Sequence, residues 1–401
     1  MPPSATPDGA RRAIVALLAV VFVNMAGFGV VIPLLPFYGR AFHASTFQIG
    51  VMFSAFAVGQ LFAESFWGRL SDRIGRRPVL LATISGAAAA YVGLAFAPNM
   101  AIACLVRLIG GFMSGNISTI QGYIADVTPP LHRPSRLGHL GAAFSMGFVT
   151  GPGLGGLLAK PSAGVAGFQA PLLAAAALAG LAALCVALFV RETRHEEHAK
   201  IQQRPRLEVA REAFAHPVIG RTLIAAFIII SGFAGIEATY GLWTQARFGW
   251  GPRQIGFAFM AIGVTGALGQ GLITGPLARQ FGPARVLTWG LAMVGTGMLV
   301  QLLSPNWPIA MAGFFTVSFG QCLTFPNISA LISQSAPAER QGEVLGLNMS
   351  MNCLARIGGP LWASAAFAHI SIGAPFATAA ALIAPGLLLA QQVTARVRMA
   401  R

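Results

Sequence analysis

The chain has 401 residues, of which 55% are hydrophobic and 10% are charged, and its formal net charge at pH 7 is +15. So much apolar surface exceeds what a soluble fold of this length can bury, which excludes a water-soluble globular protein. Many apolar stretches reach the roughly 20 residues that a helix needs to cross about 30 Å of hydrocarbon. The composition therefore predicts an all-α membrane protein.

Twelve transmembrane helices are predicted between the breaks in the hydrophobic pattern. The first follows Arg11 and Arg12, and its apolar run is too long for a cleaved signal peptide, so we expect it to be retained. The most hydrophilic interruption, at 191–217, cannot lie in hydrocarbon and is predicted to be a linker. It separates an N-terminal six-helix bundle, 1–190, from a C-terminal one, 218–401. The predicted spans are 12–38, 46–68, 78–97, 99–126, 137–160, 168–190, 218–244, 252–276, 283–303, 307–334, 343–369 and 374–395.

The basic residues are distributed unevenly about these spans. Of the 27 Lys and Arg residues, 21 fall on one side of the predicted membrane and four fall on the other, with those within three residues of a span edge assigned to that side. Two, Arg107 and Arg356, fall well inside spans. Basic loops mark the cytoplasmic side, so both termini and the linker are expected in the cytoplasm, with the protein in the inner membrane. The positive charge therefore sets topology, and nucleic acid is not an expected partner.

A basic motif between the second and third spans has a degenerate copy in the second half. Residues 68–78 read GRLSDRIGRRP, and residues 275–285 read GPLARQFGPAR, at an offset of 207. Proline landmarks recur at an offset of 208, namely Pro129 with Pro337 and Pro152 with Pro360. Repeats of half the chain length predict two pseudo-symmetric bundles, with a substrate site between them near mid-membrane that opens to each side in turn.

Within the motif, glycines and one acid have distinct expected roles. Gly68 and Gly75 are expected to permit a tight reversal between helices. Asp72 is expected either to accept from N–H groups at a helix start or to pair with a nearby arginine. In the second copy Arg279 replaces Asp72, so this role is expected in the first half alone. The alternative for the motif, Arg73 included, is topological anchoring only.

The fifth span contains glycines at a four-residue spacing. Gly147, Gly151 and Gly155 fall on one helix face, which lets another backbone approach closely. Pro152 removes a backbone donor and is expected to bend the helix there. The alternative is ordinary packing of membrane helices without a functional role.

Four stretches carry a resemblance to a known family: Gly27-Phe28-Gly29 with Pro33 and Pro36, the motif at 68–77, Arg107 with Gly110 and Gly111, and residues 147–156. On these the chain resembles the major facilitator superfamily over nearly its whole length. Within that family it looks like the twelve-span drug:proton antiporters, the tetracycline-efflux-like multidrug exporters.

The resemblance implies a secondary active transporter that couples efflux of small, largely apolar organic compounds to protons, and hence antibiotic resistance. It also implies that Asp72 helps to latch the halves in one state and that the fifth-span motif seals the external side, which favours efflux over uptake. Arg107 is implied to tune an acid. The alternatives are an uptake carrier or uniporter of the same fold, or a non-transporting receptor or scaffold. A monomer without cofactor or metal is expected.

Two acids lie well inside predicted spans, where ionisable groups are costly. Glu64 lies one turn before the basic motif and can pair with Arg69 or Arg73, so a structural role is at least as well supported as a functional one. Glu237 lies deep in the seventh span without a neighbouring cation in sequence. Because a carboxyl in such a setting can bind and release a proton near neutral pH, we predict that Glu237 is the coupling or substrate-contacting acid.

The alternative for Glu237 is a buried ion pair with Arg107 or Arg356. Arg107 keeps its charge in practice, so it is expected to tune an acid or to bind an anion or water. Arg356 has no family motif behind it, and helix capping or a pair with Glu237 is expected. The predicted group for proton coupling and gating is Glu237, Arg107, Asp72, Arg73 and Arg356.

The predicted substrate cavity combines aromatic faces and amides in an apolar wall, which suits bulky, apolar and cationic solutes. In the first span Asn24 replaces the acid of the tetracycline-efflux pattern, and an amide cannot titrate. This departure weighs against tetracycline itself and against coupling through the first span. The alternative for each cavity residue is interhelical packing. The predicted lining is Asn24, Phe28, Asn116, Gln121, Phe233, Tyr240, Trp243, Asn327, Met349 and Asn352.

An enzyme is not expected. The sequence contains no HExxH motif, nucleophile elbow or phosphate-binding loop, and it has only 12 Asp and Glu residues. The four cysteines show no metal-ligand spacing, which gives no reason to expect a metal site.

Overall fold

The computed structural model describes residues 7–128, 133–192, 206–337 and 340–399, and in these residues all regular secondary structure is helical. A 3-10 turn at Ile32–Leu34 joins the first two helices, and another at Pro161–Phe168 precedes the eighth. The α-helices are α1 Pro7–Val31, α2 Leu35–Ala41, α3 Thr46–Ile74, α4 Arg76–Ala95, α5 Met100–Phe112, α6 Ile117–Val127, α7 Arg133–Leu158, α8 Gln169–Phe189, α9 Arg206–Ala215, α10 Ile219–Phe248, α11 Pro252–Leu268, α12 Gly275–Phe281, α13 Pro283–Leu303, α14 Trp307–Ser335, α15 Gln341–His369 and α16 Ala374–Met399.

Ten segments of the described chain are long and apolar enough to cross a membrane. Their positions match ten of the twelve predicted spans, which confirms an all-α membrane protein. The predicted spans at 137–160 and 343–369 correspond to α7 and α15, which are helices of 26 and 29 residues but are not among the ten. The full count of twelve therefore remains a prediction.

The chain folds into two compact units. Unit 1 holds the described residues of 1–48, 55–199 and 251–260, and unit 2 holds those of 49–54, 200–250 and 261–401. The predicted bundles therefore stay predictions, because each unit takes a short segment from the other half of the sequence. Part of the predicted linker, 193–205, lies outside the described residues, and α9 forms within the remainder.

The core of unit 1 forms where α1 packs against α7 and α8 and where α4 packs against α8. Apolar side chains from these helices and from α6 are buried together there, because the faces that meet carry Leu, Ile, Val and Ala. They include Leu17, Val20, Leu80, Ile84, Ile124 and Val186.

Unit 2 is built around α10, which packs against α14, α15 and α16. The apolar 18-residue stretch of α10 is 72% buried, a larger fraction than in any other candidate span of the described chain. A helix buried on nearly every face must satisfy any ionisable side chain from within the protein. Glu237, the acid singled out by the sequence, lies on this helix.

Two reversals between neighbouring helices lie at Gly75 and Gly282. Gly75 has φ +108° between α3 and α4, and Gly282 has φ +82° between α12 and α13. Both values are costly for a residue with a Cβ. The two glycines are 207 residues apart, the offset of the repeated motif. Gly68, also predicted to take part in the first reversal, instead lies inside α3, which continues unbroken to Ile74 because residues 68–74 contain no proline.

Two predicted spans are irregular. The fourth is divided into α5 and α6 by a turn at 113–116. The eighth contains a π-helical segment, Gly269–Thr274, between α11 and α12. The Thr274 hydroxyl lies 3.1 Å from the main-chain oxygens of both Gly269 and Cys322. It therefore stabilises the π-helical segment by a contact within that segment and by a contact with α14.

Candidate functional site

Glu237 and Arg356 form an ion pair inside unit 2. Glu237 Oε2 on α10 lies 3.8 Å from Arg356 Nη1 on α15. The helices approach closely here, because a Cβ on Gly235 would lie only 2.9 Å from the main-chain oxygen of Gly359. Of the two partners that the sequence left open for Glu237, the structure brings Arg356 to it.

The two members of the pair differ in exposure. The side chain of Glu237 is 5% exposed, whereas that of Arg356 is 40% exposed. A buried carboxylate depends on its protein neighbours for stabilisation, whereas a half-exposed guanidinium is only partly enclosed by protein. Loss of the charge on Glu237 therefore leaves a cation that is not enclosed in the core.

Tyr240 and Trp243 follow Glu237 on α10 and are fully buried. The Tyr240 ring stacks on Phe314 with centroids 4.0 Å apart, and the Trp243 ring lies 4.7 Å from that of Phe376. Such aromatic contacts stabilise a helix bundle. In this structure both residues thus belong to the packed core of unit 2. This corresponds to interhelical packing, the alternative to a cavity lining that the sequence left open.

The other predicted cavity residues of unit 2 have varied surroundings. Asn327 is buried, and its Nδ2 donates to the main-chain oxygen of Leu323, one turn earlier, at 2.7 Å. Phe233 and Asn352 are partly buried, and Met349 is 50% exposed. Asn327 is therefore satisfied within its own helix, whereas the other three present more of their surface.

Sequence reasoning missed Asn348 on α15. It is 6% exposed and lies one turn before Asn352 and two turns before Arg356, so the three share a helix face. The Oδ1 atoms of Asn348 and Asn352 make no hydrogen bond among the described residues. The four-residue spacing of polar residues in a membrane helix is the signal that predicts this stripe.

Arg107 is buried in unit 1, on α5. Its guanidinium carbon lies 4.2 Å from the centroid of the Phe56 ring, a cation–π contact. The Phe56 ring in turn lies 5.5 Å from that of Phe28 on α1. The predicted cavity residue Phe28 and the predicted tuning residue Arg107 are therefore linked through one aromatic ring.

The remaining predicted cavity residues of unit 1 differ in exposure. Asn24 on α1 is partly buried, one turn before Phe28, and Gln121 on α6 is exposed. Asn116 is 1% exposed and lies in the turn between α5 and α6. Neither its Oδ1 nor its Nδ2 has a hydrogen-bond partner among the described residues.

Arg76 organises the basic motif at the end of α3. Its Nη1 lies 2.7 Å from Asp72 Oδ1 and donates to Ser71 Oγ at 2.6 Å, while its Nε lies 3.4 Å from Asp126 Oδ2. Asp72 thus pairs with an arginine, one of its two expected roles, and Arg73 is exposed. Asp126 was missed because it lies at the edge of a predicted span.

The other expected role of Asp72, at a helix start, is filled by Glu192. Its carboxylate accepts from the main-chain N–H groups of Arg76 at 2.9 Å and Arg77 at 3.2 Å, the first residues of α4. These N–H groups have no partner within their own helix, and a negative charge is favourable there. An acid directly after the sixth span is the only sequence signal for this contact.

The glycine face of α7 packs against α1. Each position lacks room for a Cβ, because a main-chain oxygen of α1 occupies that space. Gly147, Gly151 and Gly155 meet in turn the oxygens of Phe22, Ala26 and Val30. Pro152 lies inside α7 and packs near Gly29, where an added Cβ would lie 3.0 Å from its Cδ. Inside unit 1 the motif therefore joins two helices at backbone distance.

Comparison with known proteins places this architecture in a family. A family model described as Major Facilitator Superfamily matches residues 17–360 and, again, 222–397. The class G tetracycline resistance protein of Vibrio anguillarum is 32% identical over 357 residues, which cover 87% of this chain and 88% of the relative. Multidrug resistance protein 2 of Bacillus subtilis is 27% identical over 386 residues, 93% of each chain.

A solved structure supports the fold. The bacterial homologue of the human lysosomal transporter Spinster aligns with a TM-score of 0.81 at 15% identity, over 98% of both chains. This likeness concerns the fold alone, whereas the family match extends over most of the sequence. The chain belongs to the Major Facilitator Superfamily.

Proposed function

We propose that the protein exports small, largely apolar organic compounds, drugs among them, in exchange for protons. Relatives named for tetracycline resistance and for multidrug resistance match this chain over most of their length. Family membership makes the chain a transporter and not an enzyme, as the sequence predicted. Substrate and proton are therefore its partners.

The observation that carries the coupling is the ion pair of the buried Glu237 with Arg356. With its proton released, Glu237 holds Arg356 across α10 and α15; with a proton bound, its charge is gone and the pair is lost. These two states differ in the contacts between two helices of unit 2. A ligand can drive a conformational cycle only if it binds the two states unequally, and a proton at this carboxyl meets that requirement.

The proposed substrates follow from the chemistry of the predicted lining. Aromatic and amide side chains favour flat apolar compounds, and the carboxylate of Glu237 favours those with a positive charge. Asn24 cannot exchange a proton, so coupling is assigned to α10 and not to α1. The same residue weighs against tetracycline itself, despite the name of the relative.

Placement in the membrane follows from charge. We assign the protein to the inner membrane as a monomer. We assign both termini to the cytoplasm, because most basic residues fall on that side of the predicted spans. Protons then move inward as substrate leaves. Asp72 and Arg73 are proposed to act in gating at the cytoplasmic end, and the glycine face with Pro152 is proposed to support the external seal.

A susceptibility panel in a pump-deficient bacterial host tests the function. Cells with the wild-type protein are expected to survive higher concentrations of several unrelated drugs. Glu237→Gln, which keeps the size of the side chain but cannot titrate, is expected to lose most of this protection. Glu208→Gln is the control, because Glu208 is exposed on α9 outside the candidate spans.

Everted vesicles then separate export from the alternatives. A proton gradient that is acidic inside is expected to drive uptake of a protective drug into vesicles with the wild-type protein, and collapse of the gradient is expected to abolish it. Equal transport by wild type and Glu237→Gln would contradict the coupling assignment. Transport that ignores the gradient would indicate a uniporter, and no transport at all would indicate a receptor or scaffold.

A further inference from the structure

The break in the fourth span creates a helix start within a candidate membrane segment. The segment Met100–Ile124 is apolar enough to span, yet α5 ends at Phe112 and α6 begins at Ile117. The first N–H groups of α6 have no partner in their own helix and no bulk water in hydrocarbon. Asn116, at the position before the helix, makes no side-chain cap. Another part of the chain must therefore stabilise this end.

Glu64 of α3 lies at this helix start. A Cβ on Gly68, one turn after Glu64 on the same face of α3, would lie 3.5 Å from the Oγ of Ser118 in the first turn of α6. The Glu64 side chain is partly buried, and the Ser118 Oγ makes no hydrogen bond among the described residues. The helices are close here, because a Cβ on Gly115 would lie 2.6 Å from Cβ of Ala63. The carboxylate thus faces the end of α6 from a neighbouring helix.

Buried polar atoms accompany the carboxylate. Asn116 is 1% exposed and Thr119 is fully buried, and the Asn116 amide and the Thr119 hydroxyl make no hydrogen bonds among the described residues. Buried polar groups in a membrane are expensive unless they have a use. An acid, an amide and two hydroxyls around a broken helix are groups that can hold a proton and the water that delivers it.

The arginines on α3 and on its neighbours α4 and α5 make contacts of their own. The Nε of Arg69 donates to the main-chain oxygen of Ser65 at 2.9 Å. Arg107 on α5 lies over Phe56, about two turns before Glu64 on α3. Arg76 on α4 binds Asp72 and Asp126, the acid near the end of α6. None of these arginine contacts involves Glu64.

We propose that Glu64 is a second proton-binding site of the transporter, located in unit 1 and sensed by the start of α6. A charged carboxylate is favourable at the positive end of a helix and accepts from its N–H groups. A bound proton removes that charge and weakens the contact between α3 and α6. The inference rests on the proposed proton coupling, but it concerns a different acid in a different unit.

Infrared difference spectroscopy between two pH values tests the site with the proton itself as the probe. The purified full-length protein is expected to show bands of protonated carboxyl groups that grow as the pH is lowered. Glu64→Gln is expected to remove one such band, Glu237→Gln a different one, and the exposed control Glu208→Gln neither. A Glu64→Gln spectrum identical to that of wild type would overturn the proposal, even if Glu237→Gln loses its band.

Hydrogen exchange gives a readout at the responding element. In the wild type, after correction for intrinsic rates, amide protection at 117–127 is expected to fall severalfold as the pH is lowered. In Glu64→Gln it is expected to stay at the low level at every pH. Unchanged pH dependence in this variant contradicts the proposal. If Glu237→Gln leaves both the infrared bands and the exchange unchanged while Glu64→Gln alters them, the coupling role of Glu237 is refuted and the Glu64 site is supported.

Glu64→Asp covers the case in which the glutamine variant fails to fold. Aspartate keeps a titrating carboxyl but is one methylene shorter, so its band is expected to shift and the protection at 117–127 to fall at least twofold. A spectrum and an exchange pattern that both match those of the wild type would overturn the proposal.

Discussion

At the scale of single residues, the unequal exposure of Glu237 and Arg356 determines what each contributes. The carboxylate is enclosed by protein, whereas the arginine is only partly enclosed. The pair therefore joins a buried charge to a partly exposed cation and is not a symmetric salt bridge. Substitution of the two members should have different consequences.

We expect Arg356→Gln to lower the free energy of unfolding by about 1–2 kcal/mol, because it leaves a buried carboxylate without its cation. Glu237→Gln should cost less than about 1 kcal/mol, and the double variant should resemble Glu237→Gln alone. Thermal unfolding of the purified proteins in detergent measures all three. The exposed Arg253→Gln is the control, expected within about 0.5 kcal/mol of wild type. Additive losses in the double variant would show that the pair is not coupled.

The sequence predicted the buried ionisable residues better than it predicted their partners. Glu237 and Arg107 stand out because hydropathy places them inside spans, and both are buried. The contacts of Arg107 with Phe56 and of Glu192 with α4 depend on which helices pack together, and no local pattern encodes that. Asp126 was not among the predicted site residues, because it lies at the end of a predicted span and sequence cannot locate helix ends to the residue.

At the scale of helices, Gly75 and Gly282 are matched reversals with different surroundings. A Cβ on Gly75 would lie 2.5 Å from the carboxyl carbon of Glu192, whereas one on Gly282 would have nothing within 4 Å. Both replacements incur backbone strain, because both glycines have positive φ. Only the first also displaces the acid that stabilises the start of α4.

We therefore expect Gly282→Ala to cost about 1–3 kcal/mol of stability from strain, and Gly75→Ala roughly 1 kcal/mol more. Chemical unfolding of both variants measures the difference. In a Glu192→Ala background the excess at Gly75 should disappear, because the obstructing side chain is gone. Equal costs in the wild-type background would mean that the contact with Glu192 contributes nothing.

Span positions were predictable because the thickness of hydrocarbon fixes helix length. The ninth span begins and ends where the sequence placed it, at 283–303. The turn at 113–116 was not predictable, because it is stabilised from another helix: the Trp67 indole N–H donates to the main-chain oxygen of Phe112 at 2.7 Å. The continuation of α3 to Ile74 differs from the prediction, because glycine and charge favour a loop in sequence whereas a helix can extend from the membrane into water.

At the scale of the molecule, the sequence has two long-range features, an internal repeat and an asymmetric distribution of basic residues. The conserved offset between Gly75 and Gly282 shows that the two halves of the sequence share a backbone feature even where their charges have diverged. Membrane orientation remains a prediction from basic residues. The side of the membrane on which the exposed residues Lys160 and Glu208 lie would reveal this orientation.

Cysteine labelling tests that orientation. In a variant whose four native cysteines are replaced by alanine, we expect a membrane-impermeant maleimide to label Lys160→Cys in intact cells. Glu208→Cys should react only after the cells are opened or the vesicles everted, because α9 is predicted to be cytoplasmic. The reverse pattern would invert the topology and with it the proposed direction of transport.

The contact between α1 and α7 has a mechanical consequence. Three successive turns of one helix place their glycines over three main-chain oxygens of the other, so a small axial displacement would press a side chain into the opposing backbone. Axial sliding of α1 along α7 is therefore disfavoured in both directions, and we expect the two helices to move together as a rigid pair. Any rearrangement of unit 1 during a transport cycle would then change the contacts between other pairs of helices.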